Sequence, residues 1–246
     1  MDIKKVASEI ITKVKAAAKV DPKRVVRARP RRDFVHEPKR AQAPIFAVAV
    51  GVSTGGPKTL LDIFEQVDPD PETVYLIAQH MPPSFTPSLA ERLDRYTPIP
   101  FCEAKNGQPL EGGRGYLAPG GWHMMVTDDL RIRLSKRPLD TPFKPSVDVL
   151  FSSVRDVFGE RTVGILLTGI GSDGARGLLE IKEAGGITIA ESEETAVVYG
   201  MPRAAKELGA AQVIAPSYDI PVEIEKALAK IKRRWGDERR ASEEVV

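Results

Sequence analysis

From Ala43 onward, short apolar runs alternate with stretches whose apolar residues recur every three or four positions. Residues 45–50 form an unbroken apolar run of strand length, and 57–66 follow as a helix with proline in its first turn, where no intrahelical amide is lost. Residues 73–78 predict a second strand, and 87–96, capped by Thr86, a second helix. Strand-length runs then crowd between glycine-rich turns at 115–118, 123–126 and 130–134. The last two, joined through Thr127, Asp128 and Asp129, predict a hairpin. Helical spacing returns at 146–158, where Val147, Leu150, Phe151, Val154 and Phe158 share one face. A strand at 162–167, a helix at 175–184, a strand at 187–190, a short helix after Pro202, a strand at 212–214 and a helix at 222–235 complete the pattern. Strand followed by helix, repeated, predicts an α/β fold: a doubly wound, mostly parallel sheet with helices on both faces and a small antiparallel insertion.

Ahead of this body, Ile3, Val6, Ile10 and Val14 fall on one side of a helix whose other side is rich in lysine. Residues 21–43 hold three prolines and eight Lys or Arg, the composition of an extended, self-repelling linker. The helix is expected to dock on a partner or on the body, to lie on an anionic membrane surface, or to fray as a tether. Three segments are therefore expected: a basic helix and linker at 1–43, a folded body at 44–235 and a tail at 236–246.

Charge sharpens that division. The chain has 36 Lys and Arg against 34 Asp and Glu, a net +2, but the first 40 residues carry 13 basic against 5 acidic side chains. Residues 41–246 are thus acidic by six charges, and the basic character belongs to the appendage. A nucleic-acid role for that appendage rests on composition alone, and no nucleic-acid partner is expected. With 246 residues, 42% of them hydrophobic, the chain can bury a large core without staples. The single cysteine, Cys102, and three histidines without metal-ligand spacing exclude a disulfide scaffold and a zinc module. No run approaches the roughly 18 apolar residues of a membrane span, and lysines interrupt any signal-peptide core near the N-terminus. A cytoplasmic protein is the expectation.

Between the first strand and first helix lies Gly51-Val52-Ser53-Thr54-Gly55-Gly56-Pro57, a G-x-S-x-G. In such a turn the serine hydroxyl is lifted above the sheet edge, while the glycines remove side chains that would block it. The same turn could instead cradle a phosphate on the helix N-terminus, so a serine nucleophile and an anion-binding loop both fit. His80 follows the second strand, and Asp173 lies in the loop after the strand at 162–167. Each of the three residues sits just past the carboxyl end of a parallel strand, where doubly wound sheets place their sites. Taken singly, His80 fits a surface position in a proline-rich loop and Asp173 a helix N-cap. The order Ser, His, Asp departs from the Ser, acid, His order of α/β-hydrolases. His123 is a rival base, or else simply the first residue of an edge strand. The alternative function, a non-enzymatic nucleotide- or phosphate-binding module, lacks both a P-loop lysine after the glycines and an acidic residue ending the second strand.

The serine turn is joined, in order, by Gln79-His80-Met81-Pro82, Leu117-Ala118-Pro119-Gly120, Pro145-Ser146-Val147-Asp148, Leu167-Thr168-Gly169-Ile170-Gly171-Ser172-Asp173-Gly174 and Tyr199-Gly200-Met201-Pro202. Together they resemble the catalytic domain of the chemotaxis protein-glutamate methylesterases, the CheB family, over about residues 44–235. The resemblance implies a serine hydrolase that removes methyl groups from glutamate γ-methyl esters of chemoreceptors, releases methanol and often deamidates receptor glutamines, with no cofactor. It implies Ser53 as nucleophile, His80 as base and then acid, Asp173 as the residue orienting His80, and the backbone N–H of Ile170 as oxyanion donor. The N–H of Thr54, after the elbow serine, is a second donor candidate. Met81, Pro82 and Met201 are candidates for a groove accepting a receptor helix, or for ordinary packing. Family members generally carry an N-terminal receiver domain, for which this chain leaves no room. Residues 1–20 resemble the last receiver helix, implying either a longer parent chain or an esterase that stands alone.

Overall fold

The computed structural model describes residues 33–36, 42–138 and 140–243. The helix expected near residues 3–14 and most of the linker lie outside them. Among the described residues nine strands and six α-helices occur in order: β1 (Phe46–Val52), α1 (Gly56–Phe64), β2 (Thr73–Gln79), α2 (Thr86–Tyr96), β3 (Phe101–Glu103), β4 (Gly115–Leu117), β5 (His123–Val126), β6 (Ile132–Ser135), α3 (Val147–Phe158), β7 (Thr162–Leu166), α4 (Ala175–Glu183), β8 (Ile187–Glu191), α5 (Met201–Glu207), β9 (Val213–Ala215) and α6 (Ile220–Glu243). Seven strands form one parallel sheet in the order β3, β4, β2, β1, β7, β8, β9, while β5 and β6 pair as a separate antiparallel hairpin.

The sequence of β1, FAVAVGV, shows how the two faces are covered. Its larger side chains Phe46, Val48, Val50 and Val52 point into a core shared with α1, α2 and α6, through Leu60, Phe64, Leu93 and Ile224. The intervening Ala47 and Ala49 face a second core, built with α3, α4, α5 and the hairpin. Small residues on that side let α3 come close. At Gly51 an added Cβ would lie 2.1 Å from Val147 Cγ1, so only glycine admits the first residue of α3 there. The start of α3 is thereby pressed against the carboxyl end of β1, where the candidate chemistry lies.

The expected architecture is found, with local differences. β3 was not expected; it is a three-residue edge strand following Pro98 and Pro100, a setting in which missing amides are tolerated. The hairpin turn keeps Leu130 at φ 56°, so β6 starts only at Ile132. Thr86 is the first residue of α2 rather than its cap, which is Phe85. The last helix continues beyond Trp235 to Glu243, through much of the expected tail.

Candidate active site

β1 and β7 are neighbours at the centre of the sheet, yet the chain leaves them toward opposite edges, to β2 and to β8. Loops diverging in this way open a crevice at the strands' carboxyl ends. The crevice here has a volume of about 620 Å³ and is lined by Ser53, Thr54, His80, Met81, Pro82 and Ile170, with Phe143 and Lys144 from the insertion.

Asp173 lies behind His80. Its Oδ2 accepts from His80 Nε2 at 2.7 Å, and the two side chains are only 7% and 9% exposed. The same carboxylate accepts from the backbone N–H groups of Val147 at 2.7 Å and Asp148 at 3.1 Å, and from the Ser146 hydroxyl at 2.9 Å. Asp173 does sit at a helix N-terminus, but at that of α3 and not of its own helix, which starts after Gly174 in a left-handed conformation. Burial opposes its charge; the His80 hydrogen bond and the two amides outweigh burial and hold its pKa below the ordinary aspartate value. The neighbouring Asp148 accepts from Gly177 N–H at 2.7 Å, and burial, reinforced by the charge of Asp173, pushes its pKa up to about 6.

With Nε2 engaged, His80 Nδ1 is buried and has no protein partner among the described residues. The ring is stacked on Phe143 at a centroid distance of 4.2 Å and an interplanar angle of 15°. Phe143 lies 63 positions away in a loop between the hairpin and α3, and nothing in the sequence singled it out. Ser53 is fixed by its backbone, with its N–H donating to Thr168 O at 2.9 Å. Its hydroxyl makes no hydrogen bond to the imidazole in this structure; the two residues meet as walls of one cleft. The N–H groups of Ile170 and Thr54 donate to no main-chain carbonyl among the described residues, and both residues line the crevice. Gly56 donates to Ser53 O at 3.0 Å and Pro57 has no N–H, so the first turn of α1 offers an anion few free donors. That counts against the phosphate-cradle reading of the glycine turn.

Two other candidates are placed elsewhere. Met201 is fully buried in the core beneath Gly169 and cannot line a groove. His123 is buried as well: Nδ1 accepts from Ser146 N–H at 3.1 Å, Nε2 meets Pro138 O at 3.1 Å, and burial holds its pKa below the ordinary histidine value. Its nitrogens tie the insertion to the start of α3, leaving no role as the rival base. Met81 and Pro82 do line the crevice. No group of three or more His, Cys, Asp or Glu suited to a metal ion occurs among the described residues, and no helix among them is long and apolar enough to cross a membrane.

The family model for CheB methylesterase matches residues 48–224. The protein-glutamate methylesterase/protein-glutamine glutaminase of Pyrococcus horikoshii is 42% identical over 241 residues, covering 94% of this chain and 65% of the relative. Its namesake from Caldanaerobacter subterraneus subsp. tengcongensis is 44% identical over 237 residues, covering 89% and 64%. The chain thus spans about two thirds of the length of these relatives. The crystal structure of the Thermotoga maritima CheB methylesterase catalytic domain superposes with a TM-score of 0.68 at 35% identity, covering 75% of this chain and 97% of that domain. With sequence, fold and crevice in agreement, this chain belongs to the CheB methylesterase family.

Proposed function

We propose that the chain is a cytoplasmic serine hydrolase that demethylates glutamate γ-methyl esters on chemoreceptors and deamidates receptor glutamines. The observation that carries this reading is the buried His80–Asp173 pair opening onto the same cleft as Ser53. The names of the relatives, protein-glutamate methylesterase/protein-glutamine glutaminase, support the substrate class.

In the proposed reaction Ser53 Oγ attacks the ester carbonyl as its proton passes to His80 Nδ1, the ring nitrogen left open by Asp173. Substrate binding must first bring that oxygen and nitrogen within about 2.6–3.2 Å. Asp173 keeps the Nε2–H tautomer and balances the imidazolium, while the amides of Ile170 and Thr54 hold the tetrahedral oxyanion. Collapse breaks the C–O bond, and His80 returns the proton to the departing methoxide, giving methanol and a glutamyl ester of Ser53. Water, deprotonated by His80, then attacks this ester, restoring the serine and leaving the glutamate carboxylate. With a glutamine substrate the first leaving group is ammonia.

Residues 1–43 are read as a tether to a receiver domain in a longer parent chain. Within that segment Phe34 N–H donates to Arg95 O in α2 at 2.8 Å, and Asp33 pairs with the exposed Arg95 side chain.

Methanol release from methylated receptor membranes tests the central claim. Ser53→Ala should lower the rate by at least about 1,000-fold, and turnover at the wild-type rate would reject Ser53 as nucleophile.

A further inference from the structure

Gln79 ends β2 and stands between the turn that carries Ser53 and the loop that carries His80. Its side chain is buried beside the crevice. The amide nitrogen donates to the carbonyl of Ser53 at 2.8 Å and to the carbonyl of His80 at 3.0 Å. One NH2 group therefore bridges the backbones of the two residues that must exchange a proton. Gly56 makes room for it, since a Cβ at that position would lie 2.0 Å from Gln79 Oε1. The second glycine of the Gly55-Gly56 pair thus clears space for an amide arriving from the next strand. Oε1 itself has no partner among the described residues, so the two carbonyls alone set the orientation of the group.

We infer that Gln79 is a positioning residue, whose amide fixes the Ser53 turn against His80. An uncharged group with two hydrogens on one nitrogen suits two buried carbonyls. A carboxylate there has no donor and faces both oxygens with like charge, and an ammonium has to be desolvated. The inference rests on the reading of Ser53 and His80 as nucleophile and base.

Its test compares Gln79→Glu and Gln79→Met with wild type. Ser53 labelling by phenylmethylsulfonyl fluoride is followed by intact mass, receptor demethylation by methanol release, and folding by thermal melting. At pH 8, Gln79→Glu should label about 10- to 100-fold more slowly, and kcat on receptors should fall while KM holds. A buried carboxyl has a raised pKa and regains one O–H donor when protonated. The rate of Gln79→Glu relative to wild type should therefore climb as pH falls. Gln79→Met, without a donor at any pH, should show no such recovery. Folded variants that label at the wild-type rate would overturn the inference, as would a ratio for Gln79→Glu that does not change with pH. A Ser53→Ala variant that releases methanol at the wild-type rate would instead remove the nucleophile, and the role of Gln79 with it.

Discussion

His80 presents Nε2 to its acid and leaves Nδ1 for the serine. Asp173→Asn tests what the acid does. An asparagine accepts through one oxygen only, and its NH2 turned toward the ring would favour the tautomer that puts the proton on Nδ1. Methanol release should fall by about 1,000- to 10,000-fold with the melting transition retained; a loss of less than tenfold would show that the carboxylate does not set the tautomer. The meeting of Ser53, His80 and Asp173 at one sheet edge was legible because each lies in the turn or loop after a recognisable strand, Ser53 and His80 by one position and Asp173 by seven. Phe143 and the second occupation of Asp173 were not, since both arise from contacts between segments far apart in the chain. Met201 was misplaced because exposure, which separates a groove methionine from a core methionine, leaves no mark on a four-residue motif.

Strands and helices were legible wherever apolar spacing ran for a full turn or a full strand. β3 has three residues and adjacent prolines, so its pairing with β4 is a tertiary fact with little local signal. Two element-level substitutions follow from packing. Gly51→Ala forces a methyl group into Val147 and should destabilise the chain by about 1–3 kcal/mol. It should also lower esterase activity, because the displaced residue carries an amide bound to Asp173; unchanged melting and activity would contradict the close approach of α3. At the end of β8, buried Glu191 accepts from Thr168 N–H at 2.8 Å and from the Thr195 hydroxyl at 3.0 Å. Burial pushes its pKa up from 4.5 to about 7. A carboxyl raised in the folded state holds its proton there after the unfolded chain has released it, so its contribution to stability falls as pH rises from about 4.5 to 7. Glu191→Gln cannot ionise. Relative to that variant, wild type should lose about 1–3 kcal/mol over this window in urea titrations, and parallel pH curves would refute the shift.

Viewed entire, the molecule gathers the ends of β1, β2 and β7 into one crevice and walls it with the loops that flank the hairpin. Phe85 at its rim is 59% exposed and Trp122 nearby 39%, large apolar surface of the kind that meets another macromolecule. Phe85→Ser should raise KM for methylated receptor membranes several-fold, while labelling of Ser53 by the small fluoride is unchanged; equal receptor kinetics would remove Phe85 from the docking surface. The seating of Asp173 on α3 also bears on inheritance. Two of the four donors to the acid are peptide groups of residues 147 and 148, and a missense change leaves a peptide group in place unless it introduces proline. Over many generations those two positions can exchange side chains while the charge of the acid stays anchored, and the mutational target for losing that anchor narrows to proline or to changes that shift the helix.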